Sequence, residues 1–346
     1  MTDSTIPETM KAIVVKETGG LEALTLDPSY PVPKVGANQL LIKNEFAGLN
    51  FIDTYYRSGL YKQTCPFVSG QEGGGTIVAM GSEASEESDL QVGDKVVYVA
   101  LVGSYCEYSA VPASKVVKFP EDVGMEKALT CMVQGLTAHY LITDAHAGLI
   151  QKDQWCLIYS VGSGTCQWAA QMAKIQGYKV IGTTSTSKAD VVTKGACDEL
   201  IILDAAEGKS HADYNSVDIQ NKVMETTNGE GVKCILDGVG QSTYDISIRC
   251  LARRGIWISF GNASGPVPPI PIRRFTPKSA FCTRPKLGDY IATRKELEMR
   301  TKDVFDWVSS GKLDVKVDSI FSVQQAKDAH EYLESGKSKG KVLLRV

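Results

Sequence analysis

The chain has 346 residues, of which 43% are hydrophobic and 22% are charged, and its formal net charge at pH 7 is −3. This length predicts two domains that each bury a core of their own, and the composition is ordinary for a globular protein. The small negative charge argues against broad electrostatic attraction to nucleic acid or to an anionic membrane, although a local basic patch stays open.

Nine cysteines are scattered along the chain without any pair at the C-x-x-C spacing, and most of them lie in apolar runs. This pattern predicts free thiols in a reducing compartment rather than a disulfide framework or a structural zinc site. No run of eighteen apolar residues occurs, so no membrane span is expected. We therefore expect a cytoplasmic protein.

The first third of the chain alternates short apolar strands with glycine and proline turns, which is typical of a mostly β domain. The predicted strands are Lys11–Val15, Gln39–Phe46, Gly75–Met80, Lys95–Val99 and Tyr105–Val111. A helical pattern then begins at Met125 and continues to about Thr143.

After this helix, strands alternate with helices, and such alternation predicts a parallel sheet. Its predicted strands beyond the first are Lys179–Gly182, Leu200–Leu203, Cys234–Asp237 and Ile256–Phe260. A proline-rich stretch at Gly265–Pro271 interrupts the pattern. The last segment, Lys341–Val346, is predicted as a strand able to rejoin the first part of the chain.

Residues 151–195 have the order of a nucleotide-binding unit: strand, glycine-containing turn, helix and second strand. The strand Trp155–Tyr159 leads through the turn Ser160–Thr165 into a helix predicted to end at Gly177. The full G-x-G-x-x-G fingerprint is missing. Small side chains at helical spacing nevertheless let the helix pack closely on the sheet: Cys166, Ala169, Ala170 and Ala173. A buried helix without a ligand is the alternative for this segment alone.

The second strand of this unit ends in hydroxyl side chains and one lysine: Thr183, Thr184, Ser185, Thr186, Ser187 and Lys188. In a nucleotide-binding unit the tip of this strand meets the ribose 2′ position, where an acidic side chain favours a free hydroxyl. Hydroxyls and a lysine suit a 2′-phosphate instead, so NADPH is the expected cofactor. A solvated surface lysine is the alternative for Lys188.

Three segments resemble the zeta-crystallin-type quinone oxidoreductases, a zinc-free branch of the medium-chain dehydrogenases/reductases: Asn50–Tyr61, Gly70–Gly75 and Ser259–Gly265. The resemblance implies an α/β protein with a GroES-like β-rich domain, residues 1–134 with 289–346. A Rossmann domain with a doubly wound parallel sheet would form residues 135–288, with the active cleft between the two.

The same resemblance implies NADPH-dependent reduction of quinones, with activated alkenes as related substrates. It also implies a homodimer or homotetramer, assembled through an edge strand near residues 256–262. In zinc-dependent relatives a cysteine and a histidine stand at positions that here read Gly48-Leu49-Asn50 and Gly70-Gln71-Glu72. Neither triplet offers a thiolate or an imidazole, and the four histidines, His139, His146, His211 and His330, are widely spaced. No metal is expected.

By resemblance, the active cleft is faced by Asn50, Asp53, Tyr55 and Tyr61. We expect Tyr55 and Tyr61 to donate hydrogen bonds to the quinone oxygen and Asn50 to lie near the nicotinamide ribose. Two alternatives stay open: the tyrosines cover a hydrophobic face, and Asp53 is a structural cap.

The resemblance places cofactor-binding residues in four stretches: Gln134 and Thr137 on the linking helix, Gly162, Ser163, Gly164 and Thr165 in the turn, Thr183, Ser185 and Lys188 at the strand tip, and Phe260, Asn262 and Arg284 after later strands. The turn departs from the family pattern Ala-Ala-x-Gly-Gly-Val-Gly. A weakly catalytic protein that binds a nucleotide or AU-rich RNA is therefore the alternative function. Its candidate basic patch consists of Arg253, Arg254, Arg273 and Arg274.

Overall fold

The structure is a computed structural model that describes residues 6–206, 208–210 and 212–346. The chain divides into two compact units. The first unit comprises Met1–Gln134, Ile291–Ser309 and Val315–Val346, and the second unit comprises Gly135–Tyr290 and Ser310–Asp314. The sequence predicted residues 289–290 and 310–314 in the first unit, and both segments lie with the second. The Gln171 side chain holds the 310–314 segment there, because it accepts a hydrogen bond from the Asp314 N–H at 2.8 Å and donates one to the Asp314 carbonyl at 3.1 Å.

The described part of the first unit contains two sheets. A three-stranded sheet has the order β2-β1-β4, from Leu24–Pro31, Thr9–Val15 and Phe67–Val68. A seven-stranded sheet has the order β15-β16-β3-β5-β6-β8, with β7 paired to β3. Its strands are β3 Gln39–Leu49, β5 Glu72–Met80, β6 Lys95–Val99, β7 Tyr108–Pro112, β8 Val116–Lys118, β15 Val317–Ser322 and β16 Lys341–Arg345. The helices are α1 Phe51–Ser58, α2 Ala84–Glu87, α3 Met125–Thr130, α9 Arg294–Ser309 and α10 Ala326–Glu334.

Strand β3 is the centre of the larger sheet because it pairs antiparallel with β5, β7 and β16. In the last of these pairs Val342 lies opposite Leu49 and Arg345 lies opposite Phe46. The prediction that the segment beginning at Lys341 rejoins the first part of the chain is thus confirmed. Gly75 is required where β5 crosses β3, because a Cβ there would overlap the backbone carbonyl of Lys43.

The second unit is a six-stranded sheet in its described residues, and every pairing in it is parallel. The strands are β9 Trp155–Ile158, β10 Lys179–Thr184, β11 Glu199–Ile202, β12 Val232–Asp237, β13 Leu251–Ser259 and β14 Phe281–Thr283. The helices are α4 Leu136–Thr143, α5 Gly164–Ile175, α6 Ile219–Thr226, α7 Tyr244–Cys250 and α8 Leu287–Tyr290. Such a sheet buries both faces, which explains the continuous apolar runs of its strands.

The strand order in this unit is β11-β10-β9-β12-β13-β14, which is the doubly wound order 3-2-1-4-5-6. The order reverses between β9 and β12, and ligands of this fold bind beyond the carboxyl ends of the strands at that point. The expected edge strand near residues 256–262 is corrected here, because β13 pairs with β12 on one side and β14 on the other. The edge strand on this side of the sheet is β14.

The helical pattern over residues 125–143 is confirmed in its extent but not in its continuity. Helix α3 and helix α4 are separated by a π-helical turn at Cys131–Gly135. A π-turn places one more residue in a helical turn than an α-helix does, and such turns are frequent at functional sites.

Candidate functional site

Helix α1 carries two of the four candidate residues for substrate binding, Asp53 and Tyr55, while Asn50 precedes the helix and Tyr61 follows it. Asn50 is its N-cap, and the Asp53 carboxylate accepts the Asn50 backbone N–H at 2.8 Å. The helix ends at Gly59 in the left-handed conformation, with φ of +81°. The Tyr61 N–H then bonds the Tyr55 carbonyl at 3.0 Å, and the two half-buried rings meet edge to face with centroids 5.3 Å apart. The structure therefore brings the predicted tyrosine pair together.

The side chain of Asn50 is held in a buried polar network. Its Oδ1 accepts from Lys341 Nζ at 2.8 Å, and its Nδ2 donates to Glu72 Oε1 at 2.8 Å. Lys341 and Glu72 form a salt bridge with no exposed side-chain surface. Gly48 is needed beside this pair because a Cβ would overlap the Glu72 side chain. The place of Asn50 near a nicotinamide ribose stays a prediction, but its amide already serves this network.

Asp53 is buried, with 1% of its surface exposed. Its Oδ2 accepts the Tyr105 hydroxyl at 3.0 Å as well as the Asn50 N–H. Its Oδ1 is buried without a hydrogen-bond partner among the described residues. Burial raises the pKa of this carboxyl to about 7, and the two hydrogen bonds oppose that rise. The geometry agrees with the alternative that Asp53 caps α1.

The π-turn is tied to the same network. Glu72 Oε2 accepts the Val133 backbone N–H at 2.6 Å, which fixes the turn beside the start of β5. The next residue, Gln134, is 9% exposed, and its Oε1 is buried without a partner in the described part of the chain. Thr137, in the first turn of α4, is half-buried. An unpaired buried amide oxygen is suited to a ligand that donates a hydrogen bond.

The glycine turn between β9 and α5 lies at the point where the parallel strand order reverses. Gly162 packs so closely on the next strand that a Cβ would lie 2.6 Å from Thr184 Oγ1 and 2.7 Å from Lys188 Cβ. Ser163 is the N-cap of α5 but makes no side-chain cap, because its hydroxyl donates to the Ser160 carbonyl at 3.0 Å. The first residues of α5, Gly164 and Thr165, thus begin a twelve-residue helix without a side-chain cap. Such an N-terminus favours an anion.

The tip of β10 is divided between structural and candidate binding groups. Thr183 is fully buried, and its Oγ1 accepts the Ser160 N–H at 3.0 Å, so its hydroxyl holds the turn in place. Thr184 Oγ1 is buried and has no partner among the described residues. Ser185 is also buried, with its Oγ 3.0 Å from Ser187 Oγ. Lys188 is half-buried in the 3₁₀ segment that follows.

An acidic residue does reach this strand tip, although the stretch from Thr183 to Lys188 contains none. The Thr186 N–H and hydroxyl both donate to Asp204 Oδ1, at 2.6 and 2.9 Å. Asp204 follows β11, the neighbour of β10 in the sheet. The sequence pattern does not reveal Asp204, because only the pairing of β10 with β11 brings this residue to the tip. The prediction that no acidic side chain lies at the strand tip is therefore wrong, because Asp204 reaches it from the neighbouring strand.

The three candidates after the later strands lie together. Arg284 Nη1 donates to the Ser259 carbonyl and hydroxyl at 3.1 and 3.0 Å and to the Gly261 carbonyl at 3.0 Å. This clamp shapes the segment that contains Phe260 and the buried Asn262. Gly238, after β12, leaves room for the Phe260 ring, which would lie 2.9 Å from a Cβ at that position.

Asp237, which sequence reasoning assigned only to a strand, organises the loop after β12. Its buried carboxylate accepts six hydrogen bonds of 2.8 to 3.1 Å from five groups: the N–H groups of Val239 and Gly240, the hydroxyls of Thr243 and Ser247, and the Trp257 indole. Burial raises the pKa of this carboxyl, and these donors oppose the rise. The sequence signal that could have indicated this role is an acidic residue at the end of an apolar strand.

In the described residues no group of three or more histidine, cysteine and acidic side chains could hold a metal ion. His211 lies outside the described residues, and the two triplets compared with zinc ligands, Gly48-Leu49-Asn50 and Gly70-Gln71-Glu72, hold neither a cysteine nor a histidine. All nine cysteines are free. Across residues 6–206, 208–210 and 212–346, no helix is long and apolar enough to cross a membrane.

Comparison with known proteins identifies the family. Residues 36–154 match the alcohol dehydrogenase GroES-like domain, and residues 207–344 match the zinc-binding dehydrogenase family. A probable quinone oxidoreductase from Schizosaccharomyces pombe is 34% identical over 333 residues, which cover 96% of this chain and 96% of that protein. The chain belongs to the quinone oxidoreductase family. The predicted membership among the quinone oxidoreductases is thus confirmed.

Solved structures of the family share the fold. A mycobacterial protein complexed with NADPH has a TM-score of 0.89 and 36% identity, covering 98% of this chain and 100% of its own. Escherichia coli quinone oxidoreductase complexed with NADPH has a TM-score of 0.87 and 32% identity, covering 98% and 99%. The prediction of a GroES-like domain with a Rossmann domain is confirmed. The RNA-binding alternative finds no support in these comparisons, and Arg274 of its candidate patch pairs with Asp245.

Proposed function

We propose that the protein is an NADPH-dependent quinone reductase that also accepts activated alkenes. The observation that carries the proposal is the close packing of the Gly162 turn on Thr184 and Lys188, at the carboxyl ends of parallel strands. No side chain larger than glycine fits at position 162, so the turn offers only backbone groups to a ligand, while Thr184 and Lys188 at the strand tip offer a hydroxyl and a cation. Family membership supports the same activity.

The residues present fit NADPH. Backbone N–H groups at Gly164 and Thr165 would hold the pyrophosphate, since the N-terminus of α5 lacks a side-chain cap. The unpaired Thr184 hydroxyl, with Ser185 and Lys188, would hold the 2′-phosphate. We assign the nicotinamide side to four residues: Gln134, Phe260, Asn262 and Arg284. The unpaired Gln134 oxygen supports this assignment, because a carboxamide N–H is a suitable donor for it. Thr137 is proposed as a further cofactor contact on the family pattern alone.

The chemistry supplied by bound NADPH is the transfer of a hydride. Reduction of a quinone to a hydroquinone consumes that hydride and one proton. We assign Tyr55 and Tyr61 to hydrogen bonds with the quinone oxygen, where negative charge develops as the hydride arrives. Asn50 and Asp53 hold the start of the helix that carries Tyr55. Arg284 keeps Phe260 and Asn262 in place through its contacts to the segment around them.

Turnover of an ortho-quinone with NADPH and with NADH tests this function. We expect a clear preference for NADPH, and equal or absent activity with the two cofactors would contradict the proposal. Lys188→Ala is expected to weaken NADPH binding about tenfold or more while NADH binding changes little, because a charge-assisted hydrogen bond is worth about 1.5–3 kcal/mol. Lys194→Ala is the matched control, since Lys194 is an exposed lysine of the same unit. A similar loss in both variants would refute the role of Lys188.

We also propose a homodimer or homotetramer in which the exposed edge of β14 pairs with a second copy. Phe281 and Cys282 in this strand are exposed, and an exposed strand edge is a template for pairing. Sedimentation that shows only monomers would contradict the assembly. The nine free thiols support a cytoplasmic location.

A further inference from the structure

A continuous chain of buried polar contacts connects the two ends of helix α1 through other elements of the first unit. Its members, called here the α1 array, are Asp53, Tyr105, His330, Arg57 and Glu334. Asp53 lies in the first turn of α1 and Arg57 lies in its last turn. Tyr105 precedes β7, and the two remaining members belong to α10. None of the sequence signals pointed to the residues outside α1.

The first contacts of the array lie in the core. Tyr105 is fully buried and donates its hydroxyl to Asp53 Oδ2 at 3.0 Å. The same phenol oxygen is 3.5 Å from His330 Nε2, and the two rings meet edge to face. His330 is fully buried as well.

The protonation of His330 follows from its other neighbour. Arg57 Nη1 lies 3.1 Å from His330 Nδ1, and a guanidinium can only donate, so Nδ1 is the acceptor. The neutral ring therefore carries its proton on Nε2, which faces Tyr105. Burial and the Arg57 charge lower the pKa of His330 to about 3, which keeps the imidazole neutral near pH 7.

The array ends at the surface in a bidentate ion pair. Arg57 donates from Nη1 and Nη2 to the two carboxylate oxygens of Glu334, both at 2.9 Å. The Arg57 side chain is 6% exposed, whereas that of Glu334 is 36% exposed. Since arginine does not release its proton, the array is a chain of oriented donors and not a proton wire.

We propose that Tyr105, His330 and Arg57 are positioning residues that hold both ends of helix α1 and thereby place the substrate-binding tyrosines. Tyr55 lies between the two anchored residues of the helix, and Tyr61 is bonded to the Tyr55 carbonyl. The inference rests on the proposed function, because it takes Tyr55 and Tyr61 as the groups that meet the quinone. A shift of α1 would misplace both phenols together.

The array also makes this placement dependent on pH. The Asp53 carboxyl, whose pKa is raised to about 7, is a stronger acceptor for Asn50 and Tyr105 when it is ionised. The charged groups that act on it are Lys341 from β16, which favours ionisation, and Glu72 from β5, which opposes it. Activity towards the quinone should therefore rise with pH through the neutral range.

Tyr105→Phe tests the inference because it removes one hydroxyl donor and keeps the ring. We expect the pH midpoint of kcat/KM for the quinone to move upward by about one pH unit, since the carboxylate loses a hydrogen bond that favours its charged form. The KM for the quinone should rise several-fold more than kcat falls. The Kd for NADPH, measured by fluorescence titration, should not change.

Tyr98→Phe is the matched control. Tyr98 is also fully buried in the first unit, and its hydroxyl donates to Asn44 Oδ1 and contacts Ser109 Oγ, both at 2.9 Å, outside the α1 array. This variant should lower the melting temperature without moving the pH midpoint. An equal shift in Tyr98→Phe, or no shift in Tyr105→Phe, would overturn the inference.

A second pair of variants covers the case in which Tyr105→Phe does not fold. His330→Gln keeps an amide able to bond within the array, whereas His330→Leu removes every polar atom at that position. We expect His330→Gln to retain a lower quinone KM than His330→Leu, and equal values would speak against the array.

Failure of the proposed function is recognised separately. If the unmodified protein turns over no quinone with NADPH, the activity is refuted. A carboxyl NMR titration of Asp53 in the unmodified protein and in Tyr105→Phe, or in His330→Leu, still decides whether the array acts on Asp53. An unchanged pKa in the variant would overturn the inference.

Discussion

Replacement of Lys341 by methionine should destabilise the first unit strongly. In Lys341→Met the Glu72 carboxylate stays buried, where it keeps the Asn50 amide and the Val133 N–H but loses its cation. Breaking a buried ion pair from one side costs about 3–5 kcal/mol, because an uncompensated charge is left in the interior. Methionine fills a volume similar to that of the lysine stem, so little of this loss comes from a cavity.

The free energy of unfolding, followed by circular dichroism in urea, measures the loss. The double variant Glu72→Gln/Lys341→Met removes both charges, and we expect it to recover much of the stability lost by Lys341→Met. Lys302→Met is the control, since the Lys302 and Asp306 side chains form an exposed pair on α9 and should contribute nothing measurable. A change of less than about 1 kcal/mol in Lys341→Met, or losses that simply add in the double variant, would refute the reasoning.

Three further outcomes are expected. The folded-state pKa of Asp53, about 7, lies above the unfolded value near 3.8, so the stabilising contribution of its proton is complete below pH 4 and is lost as the pH rises through 7. Asp53→Asn should therefore reduce the slope of the unfolding free energy against pH by up to about 1.4 kcal/mol per pH unit over that interval. An unchanged slope would contradict this. Asp204→Asn should raise kcat/KM with NADPH relative to NADH, because it removes a carboxylate from the strand tip, and Asp213→Asn, an exposed acid of the same unit, should leave the ratio unchanged. Gly162→Ala should weaken NADPH binding about tenfold or more in a fluorescence titration, whereas Gly288→Ala, where a Cβ meets nothing within 4 Å, should bind normally; equal affinities would count against the turn as the cofactor site.

Hydrophobic patterns predicted most of the second unit. Buried parallel strands are apolar on both faces, so β9, β10, β12 and β13 stand out as continuous runs. The helix after the glycine turn was expected to end at Gly177, and α5 ends at Ile175 with Gly177 in a left-handed conformation. These signals are local, and local signals are what a single sequence carries well.

Four of the described helices of the first unit, α1, α2, α9 and α10, were not predicted. Helix α9 spans sixteen residues, but its buried apolar side chains are few, chiefly Leu297, Val304 and Phe305. Helix α1 is short and depends on the cap formed by Asp53. A short or largely polar helix obtains its stability from tertiary contacts, which periodicity does not report.

The polar networks could not be derived from spacing either. Lys341 reaches Asn50 across 291 positions of sequence, and Arg57 reaches His330 across 273. The resemblance pointed to Asn50 and Asp53, but it gave no account of what holds them. The structure shows that Asn50 is held by Lys341, near the other end of the chain, and that Asp53 is held by Tyr105.

The late position of β16 in the chain has a consequence for synthesis on the ribosome. Every strand of the second unit is translated before Lys341 is added, so that sheet can close while the chain is still growing. Strand β7 pairs with residues 39–43 of β3, but residues 46–49 of β3 must wait for β16 before they are paired on that side, and Glu72 must wait for it before it meets its cation. Until then the nascent first unit exposes an open stretch of strand edge and a Glu72 carboxylate without its cation, the state in which a chaperone would find it.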